Sequence, residues 1–208
     1  MIHIYEFDEY INYKSDTRTK RLSEDTFLDL LKKECKNYSP TNSQLWRNTN
    51  GTFGDFGIFF ESDRKGTIGD YNYKDFFNLR REYPVPRYKS LIGSTSKQGA
   101  KYFGSNDQIY LVIPFDNAQI VFAGVTDLGI WHHRKQIYTD DLFILSHYKK
   151  DFKYPEKELK KILLKSSGSS YAQIYYEKNL GFEFFTNSNC LLIHESKIKW
   201  LNEIFKTI

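Results

Sequence analysis

Sulfur is scarce in this chain, which has two cysteines, Cys35 and Cys190, and one methionine in 208 residues. Two cysteines so far apart exclude both a disulfide framework and a zinc knuckle, and they fit a reducing compartment. No stretch approaches the ~20 apolar residues that span a bilayer. The opening MIHIYEFDEYINYK carries neither the basic leader nor the apolar run of a secretory signal. The expectation is a cytoplasmic protein without a membrane segment. Walker loops, zinc signatures and catalytic Cys-His spacings are missing as well. His132-His133 and Asp140-Asp141 are adjacent pairs whose side chains diverge on either a strand or a helix, so no metal site is expected. Charge of one sign is also lacking. Thirty basic against twenty-six acidic side chains leave +4, milder than nucleic-acid-binding domains usually carry. The local exception is Arg80 to Lys101, where six basic residues face one acid, Glu82. Such a run suits either a phosphate-bearing ligand or plain solvated surface.

Aromatic residues, by contrast, are abundant: 17 Phe and 16 Tyr, 17 % of the chain with tryptophan. A core of rings and β-branched residues favours sheet over helical bundle. The length suits one compact unit, 1–208, with no linker, repeat or low-complexity segment. Residues 1–40 are expected to hold an opening strand at 2–7 and a helix. Ser23 is its N-cap, Glu24 and Asp25 suit the helix dipole, Leu22 staples onto Phe27, and Phe27, Leu30, Leu31 and Cys35 share a face. Strands are expected at Leu45 to Arg47, Phe56 to Phe60, Ser90 to Ser94, Gln108 to Ile113, Gln119 to Phe122, Tyr171 to Tyr176 and Cys190 to His194. Helices are expected over 73–82, 97–103 and 156–165. A last helix, within 196–208, is capped by Ser196, and its Ile198, Leu201, Phe205 and Ile208 share a face. Without regular βαβ alternation the class is α+β.

Two segments suggest chemistry. In Leu45-Trp46-Arg47-Asn48 an arginine closes a hydrophobic strand, where its planar fork can hold a phosphate or carboxylate, or simply lie at a strand edge. In SLIGSTSKQGAKYFG an apolar strand ends in Ser94, Thr95 and Ser96. These hydroxyls can bind a ligand, orient a neighbouring carboxylate, or cap the helix that follows.

Together, over residues 45–123 and more weakly to 194, these segments resemble the ADP-ribosyltransferase superfamily, in its toxin-like Arg, Ser-Thr-Ser, Glu branch. Ala100, Gly104 and Tyr110 to Pro114 continue the likeness. Gly51-Thr52-Phe53-Gly54-Asp55-Phe56-Gly57-Ile58-Phe59-Phe60 is similar to a glycine-rich segment of the poly(ADP-ribose) polymerase branch, and also suits a plain hairpin.

The resemblance implies a 45–194 core of split mixed or antiparallel sheets with flanking helices, clasping NAD as substrate. It gives cofactor-binding roles to Arg47, Ser94, Thr95 and Ser96. It also implies a glutamate that stabilises an oxocarbenium-like transition state as nicotinamide leaves. The stretch where that acid belongs reads Ser169-Ser170-Tyr171-Ala172-Gln173-Ile174, without one. Glu177 is the nearest candidate for the catalytic role and Glu183 the next. Three readings stay open: transfer of ADP-ribose from NAD to a macromolecule, a protein before a nucleic acid; a catalytically inactive binding or inhibitor protein on the same scaffold; or nucleic-acid binding through residues 80–101. The second would suit a phage protein acting in the host cytoplasm.

Overall fold

The computed structural model describes residues 19–49, 54–60, 85, 90–102, 108–124, 143–166 and 178–206. In chain order these form β1 (Thr19–Arg21), α1 (Glu24–Glu34), β2 (Leu45–Asn48), β3 (Phe56–Phe59) and β4 (Leu91–Ser94). Then come α2 (Lys97–Tyr102), β5 (Ile109–Pro114), β6 (Gln119–Ala123), β7 (Phe143–His147) and α3 (Glu156–Ser166). The chain closes with β8 (Glu183–Thr186), β9 (Cys190–His194), a 3-10 turn (Glu195–Lys197) and α4 (Ile198–Ile204).

All nine strands join one sheet in the order β1-β3-β9-β5-β2-β4-β8-β6-β7. Every pairing is antiparallel, so the class is α+β, and among the described residues the sheet is continuous rather than split or mixed. It narrows at one seam. β2 pairs with β5 through four residues, and β4 with β8 through four, but β2 and β4 share the single pair Trp46↔Ser94. Five strands lie on one side of that seam and four on the other.

Because paired residues of antiparallel strands point to the same face, the register assigns each side chain to a side. Leu45, Tyr110, Val112, Phe122, Phe184 and Leu192 build a core on one face, closed by Leu159 and Leu163 of α3 and by Tyr148 and Phe152. Trp46, Phe56, Leu111, Ile113, Leu191 and Ile193 build a second core on the opposite face. Phe27 and Leu31 of α1, Ala100 of α2 and Leu201 of α4 cover it. β5 is buried along its whole length because both cores use it, which is why IYLVIP reads as an uninterrupted apolar run. Burying one such phenylalanine as Phe122 stabilises the fold by about 1.5–3 kcal/mol.

Local signals explain the helices. Ser23 caps α1, its side chain accepting from the Thr26 amide at 3.2 Å. Leu22 packs in the same core as Phe27, as a hydrophobic staple requires. At the other end, Asp116 in the β5–β6 turn accepts from the Lys36 and Asn37 amides at 3.1 and 2.8 Å, fastening that turn to the helix terminus.

The final helix differs from the sequence expectation. His194, not Ser196, supplies the cap: its Nδ1 accepts from the Ser196 amide at 3.4 Å and lies 2.8 Å from Ser196 Oγ. A 3-10 turn therefore precedes α4, whose own N-cap, Lys197, makes no side-chain cap bond. Strands β1, β7 and β8 were not expected. The strands expected at 2–7 and 171–176, the helix expected over 73–82, and both the His132-His133 and Asp140-Asp141 pairs lie outside the described residues.

Candidate functional site

The Ser-Thr-Ser triplet ends β4 and runs into α2, and all three of its hydroxyls reach the segment that leads into β8. Ser94 Oγ donates to the Leu180 carbonyl at 2.9 Å, and Ser96 Oγ donates to the Asn179 carbonyl at 2.7 Å. Thr95 Oγ1 accepts from the Phe182 amide at 2.9 Å, while the Thr95 amide donates to the Phe182 carbonyl at 2.9 Å. Ser94 and Thr95 are 4 % and 8 % exposed, so their bonds are desolvated and losing one leaves a buried polar group unsatisfied, whereas the Ser96 bond to Asn179 is exposed. The capping role is also present, in a weaker form: Ser96 Oγ accepts from the Gly99 amide at 3.4 Å.

Glycines let the two segments close on each other. A Cβ on Gly99 of α2 would stand 1.8 Å from the Leu180 carbonyl oxygen, and one on Gly181 would stand 2.6 Å from Ser96 Cβ. Gly181 also adopts φ +71°, a conformation that other residues rarely take. The result is a rigid bracket of β4, α2 and residues 179–182.

That bracket delivers a carboxylate. Glu183 is the first residue of β8 and the direct antiparallel partner of Ser94. The two side chains therefore rise side by side on one face, and Glu183 is 5 % exposed. Glu177, the acid first expected to fill this role, lies outside the described residues.

Arg47 takes a different position. It pairs with Tyr110, so it points to the face opposite Ser94 and Glu183. Its Nη1 donates to the Ile92 carbonyl at 3.1 Å, which carries the guanidinium across the seam from β2 to β4. The buried Cys190 thiol is pushed up by desolvation and drawn partly back by the Arg47 charge. Tyr110, in the same row, donates from its hydroxyl to the Gly54 carbonyl at 2.9 Å and meets the His194 ring edge-on at 5.3 Å. Thus Ser94 comes together with Glu183, while Arg47 belongs to a row with Tyr110 and His194.

On the face that holds Tyr110, Tyr154 extends the triplet's surroundings. Burial raises its phenol, the Glu156 charge adds to that rise, and the nearby Thr95 side chain and the Lys160 charge partly offset it. Sequence reasoning missed Tyr154. The only signal for it was an aromatic residue just ahead of Pro155 and the helix.

Among the described residues no three His, Cys, Asp or Glu side chains converge as a metal site would require. Both cysteines are free and buried, and they belong to cores on opposite faces. No described helix is long and apolar enough to cross a membrane. The geometry thus defines an α+β protein with a buried serine–glutamate pair held by a bracket of hydroxyls. Comparison of the chain with protein-family models, with curated proteins and with solved structures gives no match in any of the three.

Proposed function

We propose that the chain is an ADP-ribosyltransferase-like protein that uses NAD as substrate, with Glu183 as its catalytic carboxylate. One observation carries the reading: the residue paired with the first serine of the triplet is a buried glutamate. In the proposed reaction the bond between the nicotinamide nitrogen and the ribose anomeric carbon breaks, and its electron pair leaves with nicotinamide. The Glu183 charge stabilises the oxocarbenium-like carbon. An oxygen or nitrogen nucleophile of a macromolecular acceptor then bonds that carbon and loses its proton. Replacing a preorganised electrostatic group of this kind typically lowers turnover by about 10²–10³. Ser94 acts by fixing the strand that carries Glu183, and Arg47 by holding β4 against β2 at the seam.

A second reading, an inactive binding or inhibitor protein on the same scaffold, draws on a specific observation as well. The Ser94 and Ser96 hydroxyls and one Arg47 nitrogen are already bonded to backbone carbonyls. The test is incubation of purified protein with labelled NAD and cell extract. Nicotinamide release with label on a macromolecule, both lost in Glu183→Gln, supports the transferase. No NAD binding and no nicotinamide release sends the assignment to the binding protein.

A further inference from the structure

Charge is distributed unevenly over this chain. Between Lys149 and Lys165 seven lysines stand against three acids, a formal +4 equal to the net charge of all 208 residues. The segment comprises the turn after β7 and the whole of α3, whose inward face is Leu159 and Leu163. Lys157, Lys161 and Lys165 follow one another at four-residue intervals on its exposed side. At ~1.5 Å per residue these ammonium groups form a ladder with a step of about 6 Å. Lys149, Lys150 and Lys153 are exposed on the adjoining turn.

Neutralisation within the protein is slight. Lys160 pairs with Glu156 at 2.6 Å, and Lys153 donates to the Thr41 carbonyl. Among the described residues, Lys149, Lys150, Lys157, Lys161 and Lys165 have no carboxylate partner. Two shallow depressions interrupt this surface, one lined by residues from Tyr154 to Lys160, with Glu156 and Glu158 among them, and the other by residues from Ser146 to Lys153, with Asp151 among them. The first abuts Tyr154, which packs against the core on the face that holds Tyr110.

We infer that the turn 149–153 and the outer side of α3 form a docking surface for the phosphate backbone of a nucleic acid. A ladder of like charges at even spacing complements a polymer with one anion per nucleotide better than the scattered carboxylates of a folded protein. Leu164 is the one large exposed apolar side chain of α3, so the surface offers charge and little hydrophobic anchorage. This reverses the order of partners expected from the sequence, protein before nucleic acid. It also stands apart from the NAD chemistry, because binding needs neither NAD nor Glu183.

The probe is a fluorescein-labelled single-stranded DNA of about 20 nucleotides, followed by anisotropy with full-length protein at increasing salt. The expected result is binding whose log affinity falls linearly with log salt. The combined variant Lys157→Glu, Lys161→Glu, Lys165→Glu is expected to bind at least about tenfold more weakly at low salt. Its salt slope is expected to be shallower by about 2, three lost phosphate contacts at ~0.7 each. Lys32→Glu with Lys199→Glu, exposed on other helices, is expected to bind like the wild type. Should the triple variant fail to fold by circular dichroism, Lys149→Glu with Lys150→Glu on the turn provides the same reading. No binding at low salt overturns the proposal, as does binding that these reversals leave intact. Competition by polyglutamate that is as effective per charge as unlabelled DNA overturns the assignment to nucleic acid.

Discussion

Gly99→Ala is the most severe single-methyl substitution that the bracket allows. The new Cβ would lie 1.8 Å from the Leu180 carbonyl oxygen, 2.4 Å from Ser94 Oγ and 2.9 Å from the Leu180 carbonyl carbon. Real Cβ contacts essentially never fall under 3.0 Å, so α2 and residues 179–182 must separate by at least the 1.2 Å between 1.8 and 3.0 Å. Two of the three obstacles are backbone and cannot rotate away. The separation also stretches the bonds from Ser94 to Leu180 and from Ser96 to Asn179. Overpacking of this kind costs about 3 kcal/mol. For a protein of this size that lowers Tm by roughly 6–12 °C. Gly54→Ala is the comparison. There φ is +73° and the nearest atom is the Arg21 Nε at 3.0 Å, the end of a flexible side chain. Only the left-handed backbone cost of about 1–2 kcal/mol applies. Thermal unfolding by circular dichroism, with urea titration as a check on two-state behaviour, ranks the two. If Gly99→Ala is no more destabilising than Gly54→Ala, α2 does not clamp the segment before β8 and the bracket is misread.

Thr95→Val removes the acceptor of the Phe182 amide in a buried setting and is expected to cost about 1–3 kcal/mol, read from urea midpoints. Alkaline stability follows from burial. The Tyr38 and Tyr148 phenols and the Cys35 and Cys190 thiols all have their pKa raised, with desolvation as the largest cause. A folded pKa above the unfolded one means full stability below the unfolded value and loss as pH rises past it. Tm is therefore expected to fall from about pH 8.5 upward, beginning with the thiols and steepening near pH 10 with the phenols. Tyr38→Phe is expected to flatten the upper part of that fall. An unchanged pH profile in Tyr38→Phe would show that the phenol is not desolvated as described.

What was readable in the sequence, and what was not, divides along physical lines. Helix α1 was legible because its cap, its first-turn acids and its apolar stripe agree. β5 was legible because a strand buried on both faces admits no polar interruption. β1 was not, since Thr19-Lys20-Arg21 is an edge strand and carries the charges that edges favour. β8 escaped because a buried glutamate at its start breaks the apolar pattern that marks a strand. The available signal was Phe182 and Phe184 alternating between Gly181 and Asn187. The triplet was legible as a set of hydroxyls, but its bonds to residues 179–182 join positions more than eighty residues apart and leave no local trace. The same holds for Arg47: its strand was evident, and the face it occupies depended on a register that only pairing with β5 and β4 defines.

The identity of the carboxylate is decided most directly by measuring nicotinamide release from NAD for the wild type, Glu183→Gln and Glu177→Gln under one set of conditions, each shown to be folded. Pairing of Glu183 with Ser94 leads to a loss of about 10²–10³ in Glu183→Gln and a rate near wild type in Glu177→Gln. The reverse pattern would return the catalytic role to Glu177 and leave Glu183 as a structural acid of the β4–β8 pair.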